Sequence, residues 1–101
     1  QDFYDDFQTH TGISNLRGVM IKVHDNSSPV DGSIDATALG HVRTAQDNFV
    51  TNNSSLWTKV DTDNTTNYPR QTGDGAHYEA AGTLLIGEDI YDELETAGAF
   101  A

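Results

Sequence analysis

A carboxylate and a histidine stand three positions apart in a polar segment near the end of the chain. They are Asp74 and His77, separated only by Gly75 and Ala76. A hydrolytic serine needs an imidazole to take its proton, and that imidazole needs a carboxylate to orient it. The residue types and their spacing therefore indicate the acid–base pair of a serine ester hydrolase. The competing interpretation is structural, with Asp74 capping a helix and His77 lying on its exposed first turn.

The elements that must position this pair follow from the hydrophobic pattern. Helical periodicity covers residues 2–10, 37–51 and 77–94, and two short runs rich in strand-forming residues, 18–24 and 56–62, predict strands. Strands that alternate with helices imply parallel pairing through crossover connections. Ligand sites in such sheets lie beyond the carboxyl ends of the strands, and the pair follows the second strand. Two strands make a poor sheet by themselves, which predicts that residues outside this chain complete it.

The same patterns predict which parts of these elements are buried. We expect the strand at 18–24 to be buried on both faces, as parallel strands are. Asp35 or Thr37 is expected to cap the middle helix. In the last helix Gly82 and Gly87 each cost about 1 kcal/mol relative to alanine, unless close packing needs them. The expected apolar faces are Ala38, Val42, Ala45 and Phe49 in the middle helix, and Ala81, Leu84, Leu85 and Ile90 in the last.

The residues around the pair resemble the last conserved block of the SGNH (GDSL-like) hydrolases. Residues 74–82 read Asp-Gly-Ala-His-Tyr-Glu-Ala-Ala-Gly, which is similar to that family's Asp-Gly-x-His-Tyr/Phe-x-x-x-Gly, and closest to its sialate O-acetylesterase and acetylxylan esterase branch. Residues 42–46, Val-Arg-Thr-Ala-Gln, resemble the V-R-x-A-Q helix of that branch. Residues 60–62, Val-Asp-Thr, resemble its strand ending in V-D-T-D. The resemblance covers residues 38–95 well and residues 1–37 loosely.

The resemblance implies both a fold and a reaction. The fold is α/β, a three-layer α/β/α sandwich with a parallel, flavodoxin-like sheet, and residues 1–101 are the C-terminal portion of that single domain. The reaction is hydrolysis of O-acetyl esters on a carbohydrate through an acyl-serine, with no cofactor and no metal. His77 acts as general base toward the serine and general acid toward the leaving sugar hydroxyl, and Asp74 orients His77 and stabilises its charged ring. The implied partners are an O-acetylated carbohydrate and the N-terminal remainder of the domain, and we expect an extracellular or cell-surface location.

The nucleophile block is where the chain departs from the family. Residues 12–18 imitate the family's G-Q-S-N-M-x-G, but Ser14 follows a polar stretch and precedes a strand, so a plain turn is the favoured interpretation. Without that serine this polypeptide alone is expected to be inactive. The alternative from a different class is a non-catalytic binding or structural module, at a cell surface or on a virion, built on a degenerate esterase scaffold. A third interpretation is an independent acidic domain of unrelated fold.

The composition narrows the range of partners. The chain has 101 residues, 16 of them acidic and 5 basic, for a net charge of −11, and it contains no cysteine. A polyanion repels phosphate backbones and anionic lipid headgroups, which argues against nucleic-acid and membrane-surface binding. No apolar run approaches the roughly 20 residues of a membrane span. Disulfides and thiolate metal sites are excluded.

Two weaker patterns concern histidine and calcium. His24 ends the first strand and is either a satisfied strand-end residue or part of the same cleft as the acid–base pair, and His41 is expected to face solvent. Asp61, Asp63 and Asn64 resemble the start of a calcium loop but lack the glycine and the final glutamate of an EF-hand.

Three aromatic residues form a further weak pattern. Trp57, Tyr68 and Tyr78 are interpreted either as a sugar-stacking surface or, for Trp57, as part of the core.

Overall fold

The part of the chain that the structure describes contains three helices and two strands, in the order predicted. A computed structural model describes residues 2–13, 16–24, 35–63, 67–73 and 77–100. The elements within these ranges are α1 (Asp2–Thr11), β1 (Gly18–Lys22), α2 (Ala36–Asn52), β2 (Trp57–Asp61) and α3 (Ala80–Thr96). The α/β class and the alternation of strands with helices are confirmed. None of the helices in the described ranges is long and apolar enough to cross a membrane.

The two strands pair in parallel, as the alternation predicts. Their register runs from Gly18 opposite Trp57 to Lys22 opposite Asp61. The indole ring lies across Gly18, and a Cβ atom at that position would overlap it. The same ring meets the ring of Phe49 on α2 edge to face, with centroids 5.1 Å apart. Trp57 therefore packs between the sheet and α2, as its core interpretation predicts.

The helices α2 and α3 contact opposite faces of this sheet. On one face Gln46 of α2 donates to the Met20 sulfur at 3.6 Å, and Lys59 of β2 binds Asp47 of α2. On the other face Val60 packs in the core with Ile86 of α3. Because successive side chains of a strand point to opposite faces, the neighbours 59 and 60 assign one face to each helix.

The apolar core lies on the α3 face and is small. Val60, Tyr68 and Ile86 are its buried members among the described residues, and Val19, Tyr78 and Ile90 pack against them. The prediction that β1 is buried on both faces is wrong, because Ile21 remains 45% exposed. The core is centred on β2, so the far end of β1 is left uncovered on this side.

The predicted apolar faces of the helices are largely wrong. In α2 the residues Ala38, Val42 and Ala45 are exposed, and only Phe49 of the predicted set is half-buried. The sheet-facing side of α2 instead carries polar residues, since Arg43, Gln46 and Asp47 bond to the strands. In α3 Ala81, Leu84 and Leu85 are exposed, and Ile90 of the predicted set packs against the core. The buried residues of this helix are Gly82 and Ile86.

The predictions for the α2 cap and for the glycines of α3 agree better with the structure than the predicted apolar faces do. Asp35 caps α2, its Oδ1 accepting from the Thr37 and Ala38 amides at 2.8 and 3.2 Å. A Cβ at Gly82 would lie 2.6 Å from the Pro69 carbonyl oxygen, so close packing does need that glycine. At Gly87 a Cβ would meet nothing within 4 Å.

Candidate functional site

The carboxyl ends of the two strands meet at a buried hydroxyl. Thr62, the residue after β2, is 0% exposed, and its Oγ1 lies 3.1 Å from the Lys22 carbonyl oxygen at the end of β1. The same Oγ1 lies 2.5 Å from the Tyr78 hydroxyl. His24 meets Tyr78 edge to face with ring centroids 5.8 Å apart. We call Thr62, His24 and Tyr78 the strand-end cluster, and His77 directly precedes Tyr78 in the chain.

His77 has a fixed backbone and an exposed side chain. Its carbonyl oxygen accepts from the Gln71 amide at 2.9 Å, and the Pro69 carbonyl accepts from the Glu79 amide at 2.9 Å. Arg70 and Tyr78 form an antiparallel bridge between these two bonds. The His77 side chain is solvent-exposed. This is the arrangement that a base needs in order to meet a group arriving from outside the chain.

Only some of the predicted site residues fall within the ranges that the structure describes. His77 directly precedes Tyr78 of the strand-end cluster, while Asp74 and the weak nucleophile candidate Ser14 lie outside the described residues. Ser54 and Ser55, the serines within the described ranges, precede β2 and so lie at the opposite end of the sheet. At about 3.3 Å per strand residue, the five residues of β2 separate them from Thr62 by well over 10 Å. The pairing of Asp74 with His77 therefore stays a prediction.

A balanced group of charges occupies the α2 face below the strand-end cluster. We call it the charged layer, and its members are Lys22, Arg43, Asp47, Lys59, Asp61 and Asp63. The Lys22 ammonium lies 2.8 Å from Asp47 Oδ2 and 3.2 Å from Asp61 Oδ2. The Arg43 guanidinium binds Asp63 through both terminal nitrogens, with Nη1 2.7 Å from Oδ1. Three of the five basic residues of the chain are used here.

The charged layer shifts the pKa values of its members in the directions expected for ion pairs. Hydrogen bonds from Lys22 and then Lys59 lower the pKa of Asp47 to about 2. The Asp47 carboxylate raises the pKa of Lys22, and this effect outweighs the opposing burial of the ammonium. Burial works to raise the pKa of Asp61, but hydrogen bonds from Lys22 and the Asp63 amide lower it overall. These shifts keep Lys22, Asp47 and Asp61 charged at neutral pH, so these three residues act as a scaffold rather than as a source of protons.

Two stretches that resemble the esterase branch are bonded to each other through this layer. Arg43 of the V-R-x-A-Q stretch binds Asp63 and also donates to the Val23 carbonyl. Gln46 of the same stretch bonds the Ile21 carbonyl at 3.3 Å and accepts from the Val23 amide at 3.0 Å. The stretch thus fixes the path of the chain as it leaves β1, toward His24.

The calcium-loop interpretation of the β2 end finds no support. Asp61 and Asp63 are already bound to Lys22 and Arg43, and the third candidate, Asn64, lies outside the described residues. In the described ranges no three His, Cys, Asp or Glu side chains are grouped so as to hold a metal ion.

The aromatic residues proposed for sugar stacking do not form one surface. Trp57 begins β2, whereas Tyr78 binds Thr62 beyond the end of that strand. Tyr68 is only 6% exposed and belongs to the core. His41, in contrast, is exposed on α2 as predicted.

Sequence reasoning does not predict the contact between Thr62 and Tyr78. Thr62 enters only as part of a motif, and Tyr78 as a motif residue and a sugar-stacking candidate, because nothing in the spacing of 62 and 78 indicates that their hydroxyls meet. The signal that did exist was the placement of both next to motif residues, Asp61 and His77.

Comparison with known proteins does not assign the chain to a family. No protein-family model, curated protein or solved structure matches the chain. The functional argument therefore rests on the geometry of the strand-end cluster and on the motif resemblance.

Proposed function

We propose that this chain is the C-terminal part of a carbohydrate O-acetylesterase of the SGNH type, in which His77 and Asp74 are the base and acid of a serine triad. The single observation that carries the proposal is the position of His77. It directly precedes Tyr78, whose hydroxyl meets Thr62 at the carboxyl ends of two parallel strands, where open α/β sheets bind ligands. The His77 backbone is hydrogen-bonded and the residue is exposed to solvent.

The proposed reaction needs a serine from outside the described residues. That serine attacks the acetyl carbonyl carbon while His77 takes its proton, and Asp74 stabilises the charged imidazolium. Collapse of the tetrahedral intermediate breaks the ester bond, and His77 returns the proton to the departing sugar hydroxyl. Water then repeats the sequence on the acyl-serine, releasing acetate and restoring the hydroxyl.

The two helix-covered faces support a three-layer α/β/α sandwich of which this chain holds one side. The uncovered apolar side chains Ile21 and Val23, 45% and 37% exposed, lie along β1 and at its end. The outer side of β2 is instead flanked by acidic residues of α3, including Asp89 and Asp92. Charged flanks protect a sheet edge, and exposed apolar residues invite further packing. The remainder of the domain therefore adds its strands on the β1 side.

The test is removal of the imidazole in the complete protein. His77→Ala should reduce hydrolysis of p-nitrophenyl acetate and of an O-acetylated oligosaccharide by about 10³-fold or more, since triad members act as a unit. His41→Ala is the matched control because it removes an equally exposed histidine from α2. The proposal predicts that this control retains full activity. Equal rates for His77→Ala and the unmodified protein would end the catalytic assignment.

A second candidate is a non-catalytic binding or structural module on the same scaffold. The observation in its favour is that Ser54 and Ser55, the serines of the described ranges, lie at the end of the sheet opposite His77. Under this alternative the complete protein binds an O-acetylated carbohydrate without releasing acetate. Binding measured by calorimetry, combined with acetate release no greater than that of His77→Ala, would favour it.

A further inference from the structure

The Tyr78 hydroxyl donates its proton to a buried acceptor. Thr62 has one hydroxyl proton, and the Lys22 carbonyl oxygen, 3.1 Å away, can only accept. Thr62 therefore donates its proton to that carbonyl oxygen, and its hydroxyl oxygen can only accept a hydrogen bond from Tyr78. The 2.5 Å contact must then be donated by Tyr78. The hydrogen bonds run in one direction, from Tyr78 through Thr62 to the end of β1.

This chain of bonds joins three separate parts of the fold. Thr62 follows β2, the Lys22 carbonyl ends β1, and Tyr78 belongs to the segment that leads into α3. From the β1 side the ring of His24 meets the Tyr78 ring edge to face. The Tyr78 side chain is consequently held from both strand ends, at a point where Thr62 is completely buried.

His77 precedes this anchored tyrosine directly. The backbone bonds of the segment reach residues 69–71, beside Tyr68, which packs in the core with Val60. The Tyr78 side chain adds the direct bond between the segment and the strand ends. Displacing its hydroxyl would let the 77–79 segment move relative to β2 and carry the imidazole with it.

We propose that Tyr78, acting through Thr62, is a positioning residue that sets where the His77 imidazole sits at the strand ends. The catalytic consequence rests on the proposed function, while the positioning itself does not. The phenol proton is committed to Thr62, so Tyr78 acts by holding its neighbour and not by exchanging protons with a substrate.

The first experiment measures position without activity. Histidine ring signals of this chain are recorded by NMR for Tyr78→Phe, Thr62→Val and Thr62→Ser, with Tyr91→Phe as the matched control on the exposed side of α3. We expect Tyr78→Phe and Thr62→Val to shift the His77 ring signals in the same way. Thr62→Ser keeps the hydroxyl and should retain the original signals, as should Tyr91→Phe.

Internal controls keep this result interpretable. The ring signals of His10 and His41, on α1 and α2, should stay constant in every variant, and so should the methyl signals of Val60 and Ile86 in the core. Thr62→Val preserves the side-chain volume, so it provides the measurement if Tyr78→Phe fails to fold. Unchanged His77 signals in a folded Tyr78→Phe or Thr62→Val variant would overturn the positioning role.

The second experiment adds catalysis in the complete protein. Tyr78→Phe should lower kcat by about 10²-fold with KM little changed, because small displacements of a catalytic group cost rates of that order. Thr62→Val should lower kcat in the same way, whereas Thr62→Ser, which keeps the hydroxyl, should retain it. A shifted His77 signal with unchanged kcat in both Tyr78→Phe and His77→Ala supports the positioning and ends the esterase proposal. A lowered kcat in Tyr78→Phe that Thr62→Val does not reproduce counts against the role of Thr62.

Discussion

At the scale of single residues, buried hydroxyl groups hold separate parts of the fold together. Thr62 accepts a hydrogen bond from the Tyr78 hydroxyl at the strand ends, and a second tyrosine is fixed on the α3 face. Tyr68, 6% exposed, donates its hydroxyl proton to the Asp89 carboxylate. Burial of the phenol, followed by its bond to Asp89, raises the pKa of Tyr68 from 10.0 to about 12. The folded state therefore prefers the neutral phenol.

Alkaline titration of Tyr68 tests this preference. A group whose pKa is raised by folding stabilises the fold fully below its unfolded value, and that contribution is lost as the pH rises through the folded value. We expect the free energy of unfolding to fall as the pH increases from 10 toward about 12. Ultraviolet absorbance should show a late tyrosinate step that Tyr68→Phe removes and Tyr91→Phe leaves in place. A Tyr68 step near pH 10.0 would contradict the buried hydrogen bond.

At the scale of elements, the two interior glycines of α3 have different reasons for being there. Gly82 lies against the loop that carries Tyr68 and Pro69, with no room for a side chain. Gly87 faces open space within the described structure. Glycine inside a helix costs about 1 kcal/mol relative to alanine. At Gly82 that cost is offset by close packing, whereas at Gly87 nothing in the described contacts offsets it.

Alanine at each glycine gives a matched pair of variants within one helix. Gly87→Ala should raise the free energy of unfolding by about 0.5–1 kcal/mol, because it removes the propensity cost and meets no neighbour. Gly82→Ala should lower the same quantity by about 1–3 kcal/mol, because its Cβ would lie 2.6 Å from the Pro69 carbonyl oxygen. Urea unfolding followed by circular dichroism measures both. A change of the same sign in the free energy of unfolding of both variants would contradict the close packing of α3 on residues 68–69.

At the scale of the whole molecule, the chain is less compact than an ordinary domain of its length, and the core of its described part is small. Its radius of gyration is 15.6 Å, against about 13 Å for a compact domain of this length. The core holds few buried apolar residues in the described ranges, and the charged layer occupies the other face of the sheet. Exposed Ile21 marks the side where the proposed remainder packs.

Lysine at Ile21 tests the proposed completion of the sheet. In this chain Ile21→Lys should change the free energy of unfolding by no more than about 0.5 kcal/mol, since the side chain is already 45% exposed. In the complete protein the same change should cost on the order of 3 kcal/mol, because the lysine would be desolvated among apolar neighbours. Leu84→Lys, at a position 69% exposed on α3, is the control, and it should change the free energy of unfolding only slightly in both proteins. Equal losses from Ile21→Lys in the two proteins would mean that nothing packs on this side of β1.

The sequence by itself determined the order of the elements and the parallel pairing of the strands. These follow from local patterns, since the period of the apolar residues and the turn residues between them act over short stretches of chain. The cap at Asp35 and the placement of His77 after β2 were predictable for the same reason. The role of Asp74 remains a prediction from the motif.

Only the tertiary structure decided which side of each helix is buried and how the strand ends are joined. Apolar periodicity predicted the wrong face of α2, because Arg43 and Asp47 gain more from charged partners on the strands than Val42 gains from burial. The bond from Tyr78 to Thr62 was equally hidden, since it links residues 16 positions apart. Ion pairs and hydrogen bonds between distant residues leave no local pattern, so they become visible only when the fold brings their atoms together.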